Sequence, residues 1–455
     1  MDMNTLRQRH VDDFKALYEA SALRLTATTS SLPINERGMR ASEGTADSGL
    51  LLLYFAYARY VFISASRYGG LPMNLQGLWN PLMQAPWRSD WHLNINIQEA
   101  YWFAEQGALP TCHEPLFSLL ENLLPNGQEA ARVMMGVPRG FLAGVRSDGT
   151  LCTTPAQQPV WGMYVAGAAW CAQHVMEHYP FTQDKDFLKR RGFRILRENT
   201  LFWMGWLVPD PKTGQLVSGP SASPENEYLL PGGEKASVVM GPSHDQEIAW
   251  GSLTDFIEAA EALGIGPSDD LDLQQARSTL AHLALPQVAP DGRLREWPED
   301  YQESEPGHRH LSHLWGMMPG NRTTLRGTPE LAAAVKKSLD GRLASNHHAQ
   351  VGDMMGAALA MIELVLQSHT DAIDLLPALP TKWDEGSVSG LRACGGFRVN
   401  MSWAGGNLQR AVISSELGGT TKIRYRDHVT HVFIPAGGAI QYTGSGRVGV
   451  YEGEG

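Results

Sequence analysis

From Thr5 to about Ser368 apolar residues recur at the three-to-four spacing of helices, interrupted by loops that contain Gly and Pro, while the alternation of strands is scarce. This pattern predicts a mostly α region. Its most apolar stretch, Leu50 to Ser66, follows Asp47 and Ser48 as cap candidates and ends before Gly69 and Gly70, where backbone freedom makes a stop cheap. Arg59 interrupts the stretch, which is shorter than the roughly 20 residues that span a bilayer, so a buried helix is expected there. Ser243 with Gln246 three residues on has the capping-box pattern and opens a helix through Phe256 and Ala260 to Gly264, followed by another from near Ser268. Further helices are predicted over 159–177, 184–207, 329–345 and 356–368, and with weaker segments the total is about ten to eleven.

After His369 the texture changes. Val388, Leu391, Phe397, Val399 and Met401, then Val412, Ile423, Tyr425, Val432 and Ile434, sit in short runs divided by glycines, which predicts a small β domain. Leu376-Pro377-Ala378-Leu379-Pro380 is the expected junction, because two prolines withdraw helix donors and stiffen the chain. The division is therefore a helical domain over 1–374 and a C-terminal β domain over 375–455. One further extended element is expected inside the helical part, at His92 to Gln98.

Composition changes this picture in one direction. Over 455 residues, 43% are hydrophobic and only 19% charged, which fits a sizeable interior rather than a disordered chain. The net charge of −11 argues against nucleic acid and against an anionic membrane surface as partners. Cys112, Cys152, Cys171 and Cys394 are widely spaced and form no C-x-x-C pair, so no disulfide scaffold is expected. Met1 to His10 is charged and lacks an apolar core, so no secretory signal is expected in the chain as given; localisation and oligomeric state stay open.

Three segments could carry chemistry. His92-Leu-Asn94-Ile-Asn96-Ile-Gln98 alternates strictly, so an extended form would put four largely uncharged hydrogen-bonding groups on one face. With Trp79, Trp87, Trp91 and Trp102 close in sequence, that face suits a neutral polyhydroxylated ligand stacked on aromatic rings, although a solvated strand has the same pattern. Gly219-Pro-Ser-Ala-Ser-Pro-Glu225-Asn-Glu227 is a proline-bracketed loop with two carboxylates. A carboxylic acid in a partly desolvated cleft has a raised pKa and can protonate a leaving-group oxygen; the alternative is a turn with solvated glutamates. Third, His308, His310 and His313 fall within six positions, but no carboxylate or cysteine completes a zinc-like set, so a ligand-binding or buried polar cluster is expected and no metal. Gly444-Ser-Gly446-Arg-Val-Gly449 matches a dinucleotide fingerprint without a helix after it and is expected to be a loop, so no cofactor is expected.

Taken in order, Leu71-Pro-Met-Asn-Leu-Gln-Gly-Leu-Trp-Asn80, Asn94-Ile-Asn96, Cys112-His-Glu-Pro-Leu-Phe117, Ser223-Pro-Glu-Asn226, Glu305-Pro-Gly-His-Arg-His-Leu-Ser-His-Leu314 and Leu375-Leu-Pro-Ala-Leu-Pro380 resemble the inverting 1,2-α-L-fucosidases of glycoside hydrolase family 95. The resemblance implies an (α/α)6 barrel with a small C-terminal β domain, and hydrolysis of terminal α-L-fucose from an oligosaccharide or glycan, or of the similar α-L-galactose. It also implies Glu225 as general acid, Asn94 and Asn96 as the pair that polarises the attacking water, and an aspartate, here Asp353, that assists them. His92, Arg309 and His310 match sugar-binding positions, and Trp161 resembles the aromatic wall.

The chain departs from that pattern in three places. Gln350-Val-Gly352-Asp353-Met-Met-Gly356 moves the aspartate one place onward, and Gly144-Val-Arg-Ser-Asp148 stands where the family has a His-rich segment. The stretch from Gly320 to Gln350 has room for one helix only, so the barrel is expected to be short of one or two helices, and no counterpart of the β-sandwich that usually precedes the barrel is expected in the chain as given. These departures keep a catalytically impaired carbohydrate-binding homologue as the alternative.

Overall fold

The computed structural model describes residues 2–26, 30–345 and 354–451. Helices dominate from Met3 to Glu363 and strands from Leu366 to Val450, matching the change of texture in the sequence. The Ser48–Ala65 helix starts where its cap residue predicts: the Asp47 carboxylate accepts from Leu50 N at 2.8 Å and is paired with Arg37. Arg59, 2% exposed, donates to the carbonyls of Leu17, Tyr18 and Gly107, so its charge meets the unsatisfied end of the Met3–Tyr18 helix. The expectation of a buried helix holds for one face only. Phe55, Ala58 and Phe62 pack inward, whereas Leu53, Tyr57 and Tyr60 are exposed; by length and composition this helix could cross a membrane.

Three other expectations need correction. The segment 159–177 is not one helix but Pro159–Gly162, Gly167–Ala172 and the start of His174–Thr182. The chain folds tightly on itself there: a Cβ on Gly162 would lie 2.4 Å from Ala156 O, and one on Gly167 would lie 2.3 Å from Gly144 O. The capping box at Ser243 does not form, although the Ser243–Ala262 helix does. Ser243 Oγ donates to Arg295 O, and Gln246 Oε1 accepts from Ser218 N, so both side chains bind neighbouring segments. Finally, the helix expected over 356–368 runs from Met354 to Glu363, because Leu366–Gln367 leaves it to pair with Ile373–Leu375.

The C-terminal strands form two sheets. One is antiparallel and contains Gly386–Ala393, Phe397–Ala404, Asn407–Ser415, Gly438–Thr443 and Val448–Val450; the other contains Leu366–Gln367, Ile373–Leu375, Gly419–Tyr425 and His428–Ile434. Ala22–Leu25 extends the first sheet by pairing with Gly386–Ser389, a contact across more than three hundred residues that local pattern cannot announce. The Gly444–Gly449 segment is the turn and edge strand between Thr443 and Val450, with no helix after it among the described residues.

The helical core also contains charge. Glu105 Oε1 accepts from the ring nitrogens of His113 and His178 at 2.8 and 2.7 Å, tying the Pro110–Met134 helix to the His174–Thr182 helix. Burial opposes its charge, yet the two histidines hold Glu105 down at about 2. Gly140 is a packing constraint of another kind. Its φ is +89°, and a Cβ would lie 2.1 Å from Phe202 N. Gly140→Ala is therefore expected to cost about 2–4 kcal/mol, since left-handed strain and a backbone clash add; an unchanged denaturant midpoint would refute this.

Candidate functional site

The loop that carries Glu225 is fixed from below. Ser221–Ala222 pairs with Val238–Val239, and Ala222 N donates to Met163 O at 2.8 Å. Ser223 Oγ and Asn226 Nδ2 both donate to the buried Glu296 carboxylate, at 2.7 and 3.2 Å. The Pro224 carbonyl accepts from Ser312 Oγ and from the His310 ring at 3.2 Å. Burial raises the cost of the Glu296 charge and also pushes His313 down to about 4, so near neutral pH the neighbouring Arg342 guanidinium, 2.5 Å away, compensates Glu296. Arg342 also reaches Glu303 at 2.9 Å.

On that base the Glu225 carboxylate accepts from Asn94 Nδ2 at 2.9 Å through one oxygen and from Arg309 at 2.7 Å through the other. The sequence leads one to expect a raised pKa here; the direction is the opposite. Burial by itself would raise Glu225, but His310, Arg309 and the Asn94 amide favour the charged form and bring it below its ordinary value. Burial pushes His310 down to about 4, so near neutral pH His310 is uncharged and Arg309 with Asn94 stabilises the carboxylate.

The extended segment expected at His92–Gln98 is a two-residue strand, Trp91–His92, paired with Arg146–Ser147 and followed by a helix from Asn96 to Tyr101. Gln98 Nε2 folds back to Leu93 O at 2.7 Å, so the polar groups do not share one face. Asn94 meets Glu225, whereas Asn96 lines a small recess with Asn74, Asp90 and His92. His92 is bonded through Nδ1 to the buried Asp90. Trp161 is 39% exposed on the Pro159–Gly162 turn, whose following residue Met163 is bonded to Ser221 and Ala222. Of the four nearby tryptophans, Trp87 stands beside His92 at a ring separation of 6.4 Å, while Trp91 is buried and Trp102 lines a different cavity.

The three histidines do not converge. His308 accepts from His310 N, His310 binds Pro224 O, and His313 faces Glu296. Asp353 lies outside the described residues. Sequence reasoning missed Glu296, Arg342, Ser312 and Asp90, which orient the candidate residues. Asp90, two places before His92, and Ser312, two places after His310, had a local signal; Glu296 and Arg342 had none.

The sequence matches the family model described as "Glycosyl hydrolase family 95 catalytic domain" over residues 2–375, and "Glycoside hydrolase family 95, C-terminal domain" over residues 367–444. The chain belongs to glycosyl hydrolase family 95. Similar to this family 95 chain is "Alpha-L-fucosidase 2" of Arabidopsis thaliana, 34% identical over 480 residues, covering 92% of this chain and 56% of the relative. "Probable alpha-fucosidase A" of Aspergillus niger is 28% identical over 468 residues, covering 88% and 58%. The chain thus spans a little over half the length of these relatives. In fold it is similar to "Putative kojibiose phosphorylase from human microbiome", with a TM-score of 0.59 at 10% identity over 96% of this chain and 70% of that one.

Proposed function

We propose that the family 95 chain is a glycoside hydrolase that removes terminal α-L-fucose from oligosaccharides or glycans with inversion, with Glu225 as general acid and Asn94 and Asn96 positioning the water. The reading includes a helical domain over 1–374 built as an (α/α)6 barrel short of one or two helices, and a β domain over 375–455. The observation that carries it is the meeting of Asn94, Arg309 and Glu225, from three distant segments, at hydrogen-bond distance.

The chemistry needs that resting contact to open. In inverting enzymes that use two carboxyls these groups lie about 6.5–9.5 Å apart, which leaves room for the water, whereas Asn94 touches Glu225 at 2.9 Å and leaves no such room. Arg309, with a side chain 47% exposed, is free to turn to sugar hydroxyls. A ligand that draws Arg309 and Asn94 away removes the groups that hold Glu225 ionised, so its proton affinity rises as the leaving oxygen arrives. His92, Arg309 and His310 bind the sugar in this reading, and Trp161 supplies an apolar wall. Neutral amides are weak bases and need a carboxylate to take up charge; Asp353 has that role, and Gly356, three residues beyond it, packs on Glu99 in the helix that Asn96 opens.

Proton NMR of the protein with 2′-fucosyllactose tests the reading: β-fucose is expected to appear first. Early α-fucose would reject inversion, and no release from folded protein that still binds the sugar would favour the carbohydrate-binding homologue, which the ionised resting state of Glu225 suits. Arg309→Gln is expected to move the alkaline limb of kcat/KM upward in pH. A protonated Glu225 is needed for activity, and losing the guanidinium relaxes its lowered pKa toward the ordinary carboxylate value. An unmoved limb would assign that limb to another group.

A further inference from the structure

Away from Glu225, a cavity of about 320 Å³ opens between the helical part and the start of the strand-rich part. That size lies in the range of about 300–1,000 Å³ common to small-molecule sites. Glu177, Asp255, Glu258 and Glu363 line it, and neither Lys nor Arg does. His369, the one other ionisable nitrogen in the lining, is pushed below its ordinary value by burial and brings little positive charge.

Two buried amides point the same way. Gln173, 8% exposed, donates its nitrogen to Glu177 and to Pro319 O, and its Oε1 has no partner. Gln106, 6% exposed, donates to Glu363, and its Oε1 likewise has none. An unpaired buried acceptor costs free energy until a donor arrives. Trp102, Trp250 and Trp315 complete the wall with aromatic surface, and the indole nitrogens of Trp102 and Trp315 are buried without partners, so neutral donors accompany the free acceptors. A cavity that is rich in acceptors and aromatic surface, and poor in fixed positive charge, lacks donors that carry charge.

We infer that this cavity binds an organic ammonium cation of the aliphatic di- or polyamine class, its ammonium groups held by Glu177, Asp255 and Glu363 and by the free oxygens of Gln106 and Gln173, its methylenes lying on the tryptophans. An extended cation fits better than a metal ion. Among the described residues the only group of three metal-ligating side chains with ligand atoms within 4.8 Å of one another is Glu105, His113 and His178, so these carboxylates do not converge on one point. Burial, together with repulsion from neighbouring carboxylates, raises Glu177 to about 7 and Asp255 well above its ordinary value, and burial also raises Glu258 and brings Glu363 to about 7, so the site rests partly protonated and uptake of the cation should release protons.

Calorimetry of the full chain with spermidine and putrescine, in two buffers of different ionisation enthalpy, tests this. One-site binding with proton release is expected, weakened about tenfold or more in Glu177→Gln/Asp255→Asn. Neither substitution touches the Glu225 site, each keeps the size of the side chain it replaces, and a thermal melt checks that the variant folds. No binding by the wild-type protein would overturn the inference, as would equal binding by the double variant, or Mg²⁺ binding tightly enough to exclude spermidine at equal concentration. Because the readout is binding without a fucoside, its failure and that of the hydrolase reading are separate events.

Discussion

Replacing Glu225 with glutamine is expected to lower kcat on an unactivated fucoside by about 10²–10⁴-fold, the usual contribution of a positioned general acid, with binding of the sugar largely retained. Glutamine keeps the shape of the side chain and can still meet Arg309 or Asn94 through its oxygen, so the loop has no cause to move. It cannot give a proton to a leaving oxygen. The effect should shrink on an aryl fucoside whose leaving group departs without protonation, and that dependence separates lost acid catalysis from lost structure. Steady-state kinetics on both substrates decides it: equal losses, or retained turnover of the unactivated fucoside, would remove Glu225 from the role.

The second large effect concerns the ground beneath that carboxylate. Glu296 is 6% exposed and receives Ser223, Asn226 and Arg342, so it joins the two ends of the Glu225 turn to the Pro329–Ser345 helix. Arg342→Met leaves the buried Glu296 without its guanidinium, while Glu303 keeps Arg293 at 3.0 Å, and is expected to destabilise by about 3–5 kcal/mol, the cost of stranding one member of a buried pair. Glu296→Gln should cost less, because it removes the charge yet keeps a group that can bind Ser223. A denaturant series on the two variants checks the order. Arg342→Met no less stable than Glu296→Gln would mean that water or another cation reaches the pair.

Helical texture and the change to strands near His369 were legible in the sequence because each depends on neighbours a few residues apart. The Asp47 cap followed from local chemistry in the same way, and it formed. Ser243 and Gln246 had equally good local chemistry, and they failed as a capping box because Arg295 and Ser218 offered partners from other segments. The motif order from Leu71 to Pro380 pointed to the family, since residue identity at fixed order survives without knowledge of contacts. The alternation at His92–Gln98 pointed to Asn94 but gave the wrong geometry: a strand would have put Asn94 and Asn96 side by side, whereas the chain enters a helix between them.

What the sequence determined by itself was therefore the identity of the chemical groups and the local backbone preferences around them. Tertiary structure alone decided that Asn94 and Arg309, 131 and 84 residues from Glu225, reach its two oxygens. It also decided the direction in which Glu225 titrates. Charge state depends on which donors and how much water stand within a few ångströms, and that is a property of packing across the chain, which no short window of residues contains.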